Sequence, residues 1–476
     1  MEVAKVAIVG YGGVGACAAR LLLNNSERIS RFAGKRVELA RVVDCDLKRP
    51  RNFTLPPGLL TDDLDGLLAD PEITAVMELV DSAESARSIT LKLLESGKDV
   101  ITANQTLLAE HGTELFSLAR QVGRSIAFEA AVAGGIPAVA AISECLTANR
   151  IESIHAILNG TSNFILSQME ENESEYEAAL AEAQQCGYAD ANPALDVGGG
   201  DTAQKLAILA HLAFGASVDW REIPRVGINV VGLDDVRYAR ELGYTIKLLA
   251  VAELAPEGLE LHVSPTLVRQ GTPLAEVRGA YNAVRIVGDA VGRIFLHGLG
   301  AGQMPTASAV VSDLIDTLIG RHAISFRTLN LWPTEVAPTV PLRNPADVTG
   351  RYYLRLYADD RPNVMSEITG ALGRHNISIS SVIKHETEEG SDSVVPLVIM
   401  THRTSEGSIA AAMKPISTTL TPLGTVNLAT GEDDHTVYER SDFCATPRAV
   451  VVIEAMVAVV LADELLRKLG GDSLDE

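Results

Sequence analysis

KVAIVGYGGVGACAARLLL, residues 5–23, decides the fold at the amino end of the chain. The run Val6 to Val9 is too short for a helix and suits a strand buried on both faces. Gly10, Gly12, Gly13 and Gly15 follow, with Val14 among them, and an Ala/Leu-rich helical stretch comes next. Strand, glycine turn and helix together bring backbone amides at a helix N-terminus up to a pyrophosphate. A GxGxxG spacing alone is a weak signal; the strand before it and the helix after it give it meaning. The segment predicts a dinucleotide site, with a ligand-free Gly-rich turn as the alternative.

Working outward, VELARVVD (37–44) reads as a second strand ending at Asp44-Cys45-Asp46. A carboxylate there accepts hydrogen bonds from an adenosine ribose and repels a 2′-phosphate. Arg41, Lys48, Arg49 and Arg51 lie nearby and act the other way, so the lean is slightly toward NAD over NADP. Further βα units follow: strands at 75–80, 99–102 and 125–128, and helices at 83–96 and 107–123. The fold class is therefore α/β, opening with a doubly wound parallel Rossmann sheet over 1–130. A mixed α+β region spans 131–320, and 321–350, with Pro333, Pro338, Pro341 and Pro345, reads as a linker. Residues 351–430 carry a βαββαβ, ferredoxin-like pattern whose last strand is TVNLA (425–429). An acidic connector and one amphipathic helix, roughly Arg448 to Leu469, complete 431–476.

The 476 residues are 47% apolar and 4% aromatic, as in an Ala/Val/Leu-rich enzyme with several cores. The net charge of −22 disfavours nucleic acid and anionic membrane as partners. Five scattered cysteines without CxxC spacing predict reduced thiols in a cytoplasmic protein. The first strand starts almost at once, so no secretory leader is expected. The longest apolar run, Ala449 to Ala462, is interrupted by Glu454 and is too short to span a bilayer.

The chemistry is concentrated in GYADANPALDVGGGDTAQKLAILA, residues 187–210. Asp201 reads as the N-cap of a helix carrying Leu206, Leu209 and Leu212. Lys205 lies one turn further, on the same face as Asp201 and in line with the leucines. A lysine partly withdrawn from water and flanked by Asp196 and Asp201 can donate a proton to a carbonyl oxygen. An ordinary (i, i+4) ion pair explains the same spacing. His155, His211 and His262 are isolated and read as structural. Cys186 reads as a small buried residue, and Tyr188 either reaches the pocket or packs.

These segments together resemble homoserine dehydrogenase with a C-terminal ACT domain. FEAAVAGGIP (128–137), ILNGTSNFIL (157–166), GYADANP leading to Lys205, and GAGQMPTASAV (300–310) stand in family order. The resemblance implies NAD(P)-linked interconversion of aspartate 4-semialdehyde and homoserine by a homodimer or homotetramer. It gives Gly10, Gly12, Gly13, Val14, Gly15, Asp44, Asn104 and Gly302 to the cofactor, with part of 298–320 closing the first domain. It gives Asn159, Gly160, Thr161, Tyr188, Asp190 and Gln105 to the substrate. Lys205 exchanges the proton, and Asp196 and Asp201 orient it or hold the substrate ammonium. A monovalent cation, Na or K, is implied at the backbone carbonyls of Glu129 and Val132.

The chain departs from the family at several of these points. TANQ replaces TANK, so Gln105 supplies no charge. Asp190, Asn192 and Gly198 stand for two longer or charged acids and a glutamate, and Cys45 for an arginine. Asp81-Ser82 replaces two glycines, and Asn363 the glycine of the regulatory loop in the ACT unit. A second reading is therefore open: a catalytically impaired paralogue acting as an amino-acid-responsive regulatory or binding subunit. Arg440 to Leu466 also resembles the end of chorismate synthase. Ser441 stands there for a histidine, and one helix cannot build a flavin site. A docking helix is the simpler reading.

Overall fold

The computed structural model describes residues 2–51, 53–329, 331–332, 340–359, 362–385 and 394–419, with short strands at 424–426, 433–435 and 448–449. The first sheet has six parallel strands in the order β3-β2-β1-β4-β5-β6. They are β1 (Val3–Val9), β2 (Arg36–Val43), β3 (Leu60–Thr61), β4 (Ile73–Glu78), β5 (Asp99–Thr102) and β6 (Ile126–Ala127). Val6, Ala7 and Ile8 are fully buried because helices cover both faces of the sheet. These are α1 (Gly13–Asn24), α2 (Ser26–Ala33), α3 (Leu64–Ala69), α4 (Ala83–Glu95) and α5 (Gln105–Gln121). The expected strands and helices are all present; α2, α3 and β3 are additions, each too short to show a period.

The second sheet is antiparallel, in the order β11-β10-β7-β8-β9. Its strands are β7 (Ile151–Ile157), β8 (Tyr244–Ala255), β9 (Gly258–Arg269), β10 (Tyr281–Gly288) and β11 (Gly292–Leu299). α6 (Ala138–Ala140) precedes β7, and α7 (Gly160–Asn172), α8 (Tyr176–Gln185), α9 (Ala194–Val197), α10 (Gly200–Phe214) and α11 (Leu233–Glu241) run between β7 and β8. Ile154, Ala156, Leu248 and Ala250 share one hydrophobic core with Ile165 of α7 and Leu206 and Leu209 of α10. That packing fixes the site-bearing helices against the sheet. Chain order then returns: α12 (Gln303–Leu318) buries Ala307, Val310 and Leu314 in the core formed by β1 and α1. Part of 298–320, the helix α12, thus packs on the first sheet. α13 (Arg321–Leu329) continues from it, where a linker had been expected to begin.

In the third layer, β12 (Thr349–Asp359), α14 (Val364–Arg374), β13 (Ile379–Lys384), β14 (Val394–Thr401), β15 (Thr404–Ser405) and α15 (Glu406–Thr419) give a sheet ordered β13-β14-β12-β15. Two expectations fail here. β16 (Gly424–Val426) does not join this sheet; it pairs with β17 (Asp433–His435), a local hairpin that closes a far shorter loop. Arg448–Ala449, expected to begin a helix, forms β18, antiparallel to Arg351 and Tyr352 of β12. The remainder of the expected terminal helix lies outside the described residues. No helix among the described residues is long and apolar enough to cross a membrane.

Candidate active site

Two loops and a helix terminus converge at the carboxyl ends of the parallel strands. Gly10 has φ +95, and a Cβ there would meet the Leu79 carbonyl oxygen at 2.5 Å. A Cβ at Gly15 would strike the Gly10 carbonyl at 2.0 Å. Only glycine allows the turn at the first position and the close approach at the second. Gly12 faces open space, where the first amides of α1 can receive an anion. A cleft of about 400 Å³ runs from Gly12, Gly13 and Val14 past Val80, Asp81, Asn104 and Gln105. Gln303, just after Gly302 (φ +115), lines it too, with its side chain against Gly13. Gln303 was missed in the sequence although its motif was in view, because a polar residue inside GAGQMP carries no periodic signal.

Asp44 sits at the mouth of the glycine loop, where its Oδ2 accepts the Tyr11 N–H at 2.7 Å. Arg51, 3.2 Å from Asp44 Oδ1, also donates to the carbonyls of Tyr11, Arg49 and Asp46. Its side chain is 8% exposed and its guanidinium lies 5.0 Å from the Tyr11 ring centroid. Asn104 caps α5 by accepting the Leu107 N–H and donates to the carbonyls of Val80 and Asp81. It therefore braces the cleft wall. Ser82 caps α4 and Asp81 lies at the cleft, placing a carboxylate where two glycines are usual in the family.

At the far end of the cleft lies a polar knot. Lys205 Nζ donates to Asp201 Oδ2 at 2.8 Å and to the Leu158 carbonyl at 3.0 Å. Asn159, the N-cap of α7, donates its amide to Asp196 Oδ1 at 2.7 Å and to Asp201 Oδ2 at 2.8 Å. Gln105 Nε2 donates to Asp201 Oδ1 at 3.1 Å. Lys205 and Asp201 have side chains only 12% and 7% exposed, so this is not the solvated ion pair that the spacing also allowed. Burial, then the neighbouring Asp201 charge, raises the Asp196 carboxyl above its usual range; Asn159 and Lys205 oppose that. An ammonium has three N–H donors, and the two bonds named leave a third for a substrate oxygen.

Several expectations need correction. Asp201 is not the N-cap of α10: Gly199, at φ +79, holds that place, and Asp201 lies inside the first turn with its carboxylate turned to Lys205 and Gln105. The glycines at 198–200 let the chain enter the helix so tightly that a Cβ at Gly200 would meet Leu195 at 2.6 Å. Asp190 is exposed, and its carbonyl accepts the Gln184 amide. Its carboxylate reaches the knot only through its charge on Asp196. Tyr188 is 49% exposed, its ring packs on Phe164, and its carbonyl accepts the Thr161 hydroxyl. Gly160 passes close to the Ala280 carbonyl, where a Cβ would be 2.8 Å away. Cys186 is exposed rather than buried, because it ends α8 on the solvent side.

The segment expected to hold a cation is folded as a tight turn. Val132 N–H bonds to the Glu129 carbonyl at 3.3 Å, and Ala133 (φ +58) and Gly134 (φ +49) are both left-handed. The Glu129 carboxylate accepts the amides of Val139 and Ala140, and burial pushes it up to about 7. The isolated histidines all have packing partners: His211 lies between Ala216 and Trp332, His155 on Arg285, and His262 beside Glu260.

A glycine-loop cleft ending on a buried lysine–aspartate knot, with an ACT-type layer attached, defines an NAD(P)-dependent oxidoreductase. Comparison with known proteins narrows the class. The model described as homoserine dehydrogenase matches residues 137–315, its NAD-binding domain matches 10–129, and an ACT domain matches 352–418. A homoserine dehydrogenase of Pseudomonas aeruginosa is 41% identical over 420 residues, covering 87% of this chain and 95% of the relative. One from Neisseria gonorrhoeae is 40% identical, with the same two coverages. The crystal structure of a homoserine dehydrogenase from Thiobacillus denitrificans superposes with a TM-score of 0.81 at 41% identity, over 88% of this chain and 95% of that one. The chain belongs to the homoserine dehydrogenase family. A chorismate synthase model also matches residues 404–466, overlapping the ACT match; the structure describes β15 and α15 within it, both parts of the third layer.

Proposed function

We propose that the chain interconverts L-aspartate 4-semialdehyde and L-homoserine, with Lys205 as the group that gives and takes the proton on the substrate oxygen. The observation that carries this is the buried contact of Lys205 Nζ with Asp201 Oδ2 and the Leu158 carbonyl, which aims the remaining N–H of the ammonium. The bound nicotinamide cofactor supplies or accepts the hydride. Asp201 holds Lys205 in place, and Asn159 locks Asp196 and Asp201 to each other. Asp196, with one oxygen bonded to Asn159, offers the other to the substrate ammonium. Gln105 positions through its amide and contributes no charge. The remaining positions (Gly160, Thr161, Tyr188 and Asp190) shape the pocket floor and its rim.

For the cofactor we favour NAD. Arg51, paired with Asp44, directs four of its five N–H donors to carbonyls and to Asp44, so it offers no open fork to a 2′-phosphate. For a monovalent cation, Na or K, we keep the backbone carbonyls of Glu129 and Val132 as the proposed ligands, on the resemblance; the Glu129 carbonyl also accepts the Val132 N–H. A homodimer or homotetramer agrees with Tyr281 and Leu299, paired across β10 and β11 yet 43% and 44% exposed. The reading of an impaired, amino-acid-responsive paralogue draws on Gln105, which leaves the knot with a single ammonium.

Lys205→Ala is the test. Turnover of aspartate semialdehyde should fall by about 10²- to 10⁴-fold, the worth of a positioned acid, with cofactor binding intact. Retention of most activity would remove Lys205 from the chemistry. No turnover by the unmodified chain with either cofactor would favour the regulatory paralogue.

A further inference from the structure

Glu78 ends β4 and is fully buried, directly after the buried apolar run Ala75 to Met77. Nothing in the proposed proton transfer uses it. Its Oε1 accepts the Val80 N–H at 2.8 Å, and its Oε2 accepts the Thr102 hydroxyl at 3.0 Å. Glu78 and Thr102 are register partners at the ends of β4 and β5. The Thr102 oxygen in turn accepts the Asn104 N–H at 3.2 Å. Asn104 returns across the gap to the carbonyls of Val80 and Asp81. The circuit is closed. It ties the loop leaving β4 to the loop leaving β5, and these two loops are facing walls of the 400 Å³ cleft.

We infer that Glu78 is a positioning residue for the nicotinamide cofactor, acting through Val80, Thr102 and Asn104 to hold the two cleft walls at a fixed separation. The residue after Asn104 is Gln105, bonded to Asp201, and Thr106 donates to Gln204 at 3.0 Å. The same brace therefore sets how the cofactor cleft meets the lysine–aspartate knot. A buried carboxylate is costly unless its acceptors are filled, and here both oxygens are filled by groups of the two walls. Isosteric Leu or Met would fill the space without that cost, so packing alone does not account for a carboxylate at this position.

Burial first of all pushes the Glu78 carboxyl up to about 7; the bonds from Val80 and Thr102 oppose the rise, and the Asp81 charge adds to it. Thr102, facing it from β5, and the α12 side chains packed in the core beneath, Ala307, Val310 and Leu314, bring no charge. Protonation turns one of two acceptors into a donor, so the brace loosens as the pH falls through neutrality.

The test is fluorescence titration of the full chain with NADH and with NADPH from pH 6 to 9, beside Glu78→Gln and Thr102→Val, with thermal unfolding of each cofactor-free protein. Glu78→Gln should weaken the preferred cofactor about tenfold at pH 8, the loss of one charge-assisted hydrogen bond, while unfolding shifts little. The unmodified protein should lose affinity as the pH falls through about 7, and Glu78→Gln should lose that limb. Thr102→Val should weaken binding without removing the limb. A pH-independent dissociation constant in the unmodified protein, or an unchanged one in Glu78→Gln, overturns the inference. Should Glu78→Gln not fold, the unmodified limb and Thr102→Val still decide. The inference rests on the cofactor site of the proposed function; it is read from cofactor binding and the proposed chemistry from turnover, so their failures are separate results.

Discussion

The side-chain amide of Gln105 donates to Asp201 Oδ1 at 3.1 Å, joining two residues 96 positions apart. The bond makes the first residue of α5 a partner of the first turn of α10. Asp201 thereby accepts from Lys205, Asn159 and Gln105 together. The family's lysine at this position would bring a second ammonium to the same carboxylate; the amide keeps the contact and gives up the charge.

Gln105→Lys should therefore raise kcat/KM for aspartate semialdehyde, by about 10²-fold if the missing charge acts in the transition state. The effect should fall on kcat more than on KM. Steady-state kinetics with both reduced cofactors reads it. A fall in kcat would mean that the new ammonium competes with Lys205 for Asp201 rather than helping it.

A second set of contacts ties the ACT layer to the body. Asp235 of α11, with a side chain 3% exposed, accepts the Tyr353 hydroxyl at 2.8 Å and lies 2.9 Å from Arg355 Nε. Asp235→Ala removes the nearer of the two carboxylates beside the buried Arg355 guanidinium, Asp234 remaining at 4.0 Å, and should cost about 3 kcal/mol. Tyr353→Phe removes one hydrogen bond and should cost about 1 kcal/mol. Urea unfolding of the two variants checks the ratio; equal losses would show that the hydroxyl, not the ion pair, holds the layers together.

Legibility in the sequence followed periodicity. Val6 to Val9, Asp99 to Thr102 and the glycine loop each carry a local signature, and the first sheet was readable from them. Asp196, Asp201 and Lys205 were readable as a set and Asn159 only through the resemblance, and the structure brings the four into one knot. The role of Asp201 as a cap was misread, because three glycines at 198–200 move the helix start by two residues, which no propensity scale encodes. Asp190 and Tyr188 were placed by motif alone, and motif order says nothing about which way a loop side chain turns. β16 was assigned to the wrong sheet because pairing in a ferredoxin-like unit is non-local, whereas a hairpin partner lay seven residues on. Glu78 was legible in principle: a carboxylate ending an apolar buried strand needs a reason.

Glu129 should give the protein a characteristic pH response. Its carboxyl is pushed up to about 7 by burial, against two backbone amides that favour the ionised form. With a folded value above the unfolded one, the folded state binds more protons between about 4.5 and 7. Its stabilising contribution is complete below 4.5 and is lost as the pH rises through about 7, a swing on the order of 3 kcal/mol. Glu129→Gln cannot titrate, and its amide leaves one backbone donor unmet, so it should be less stable than the parent at pH 5. The deficit should shrink by pH 8. Thermal unfolding across that range measures it; a constant deficit would place the burial cost elsewhere.

Asn363 begins α14 with φ +73, in the left-handed region, and it caps nothing with its side chain. Asparagine tolerates this conformation better than most residues, and glycine adopts it freely. Asn363→Gly should leave the ACT layer as stable as before or slightly more so, whereas Asn363→Ala should cost about 1 kcal/mol from its Cβ. The same side chain stands where the family's regulatory loop carries no Cβ, so a regulatory amino acid meets added bulk and an amide. Threonine should bind the unmodified chain weakly or not at all, and Asn363→Gly more tightly. Calorimetric titration of both proteins with threonine and other amino acids tells these apart. Micromolar threonine binding by the unmodified chain would show that the loop accepts its ligand with asparagine in place, and ligand choice would then have to come from the neighbouring strands.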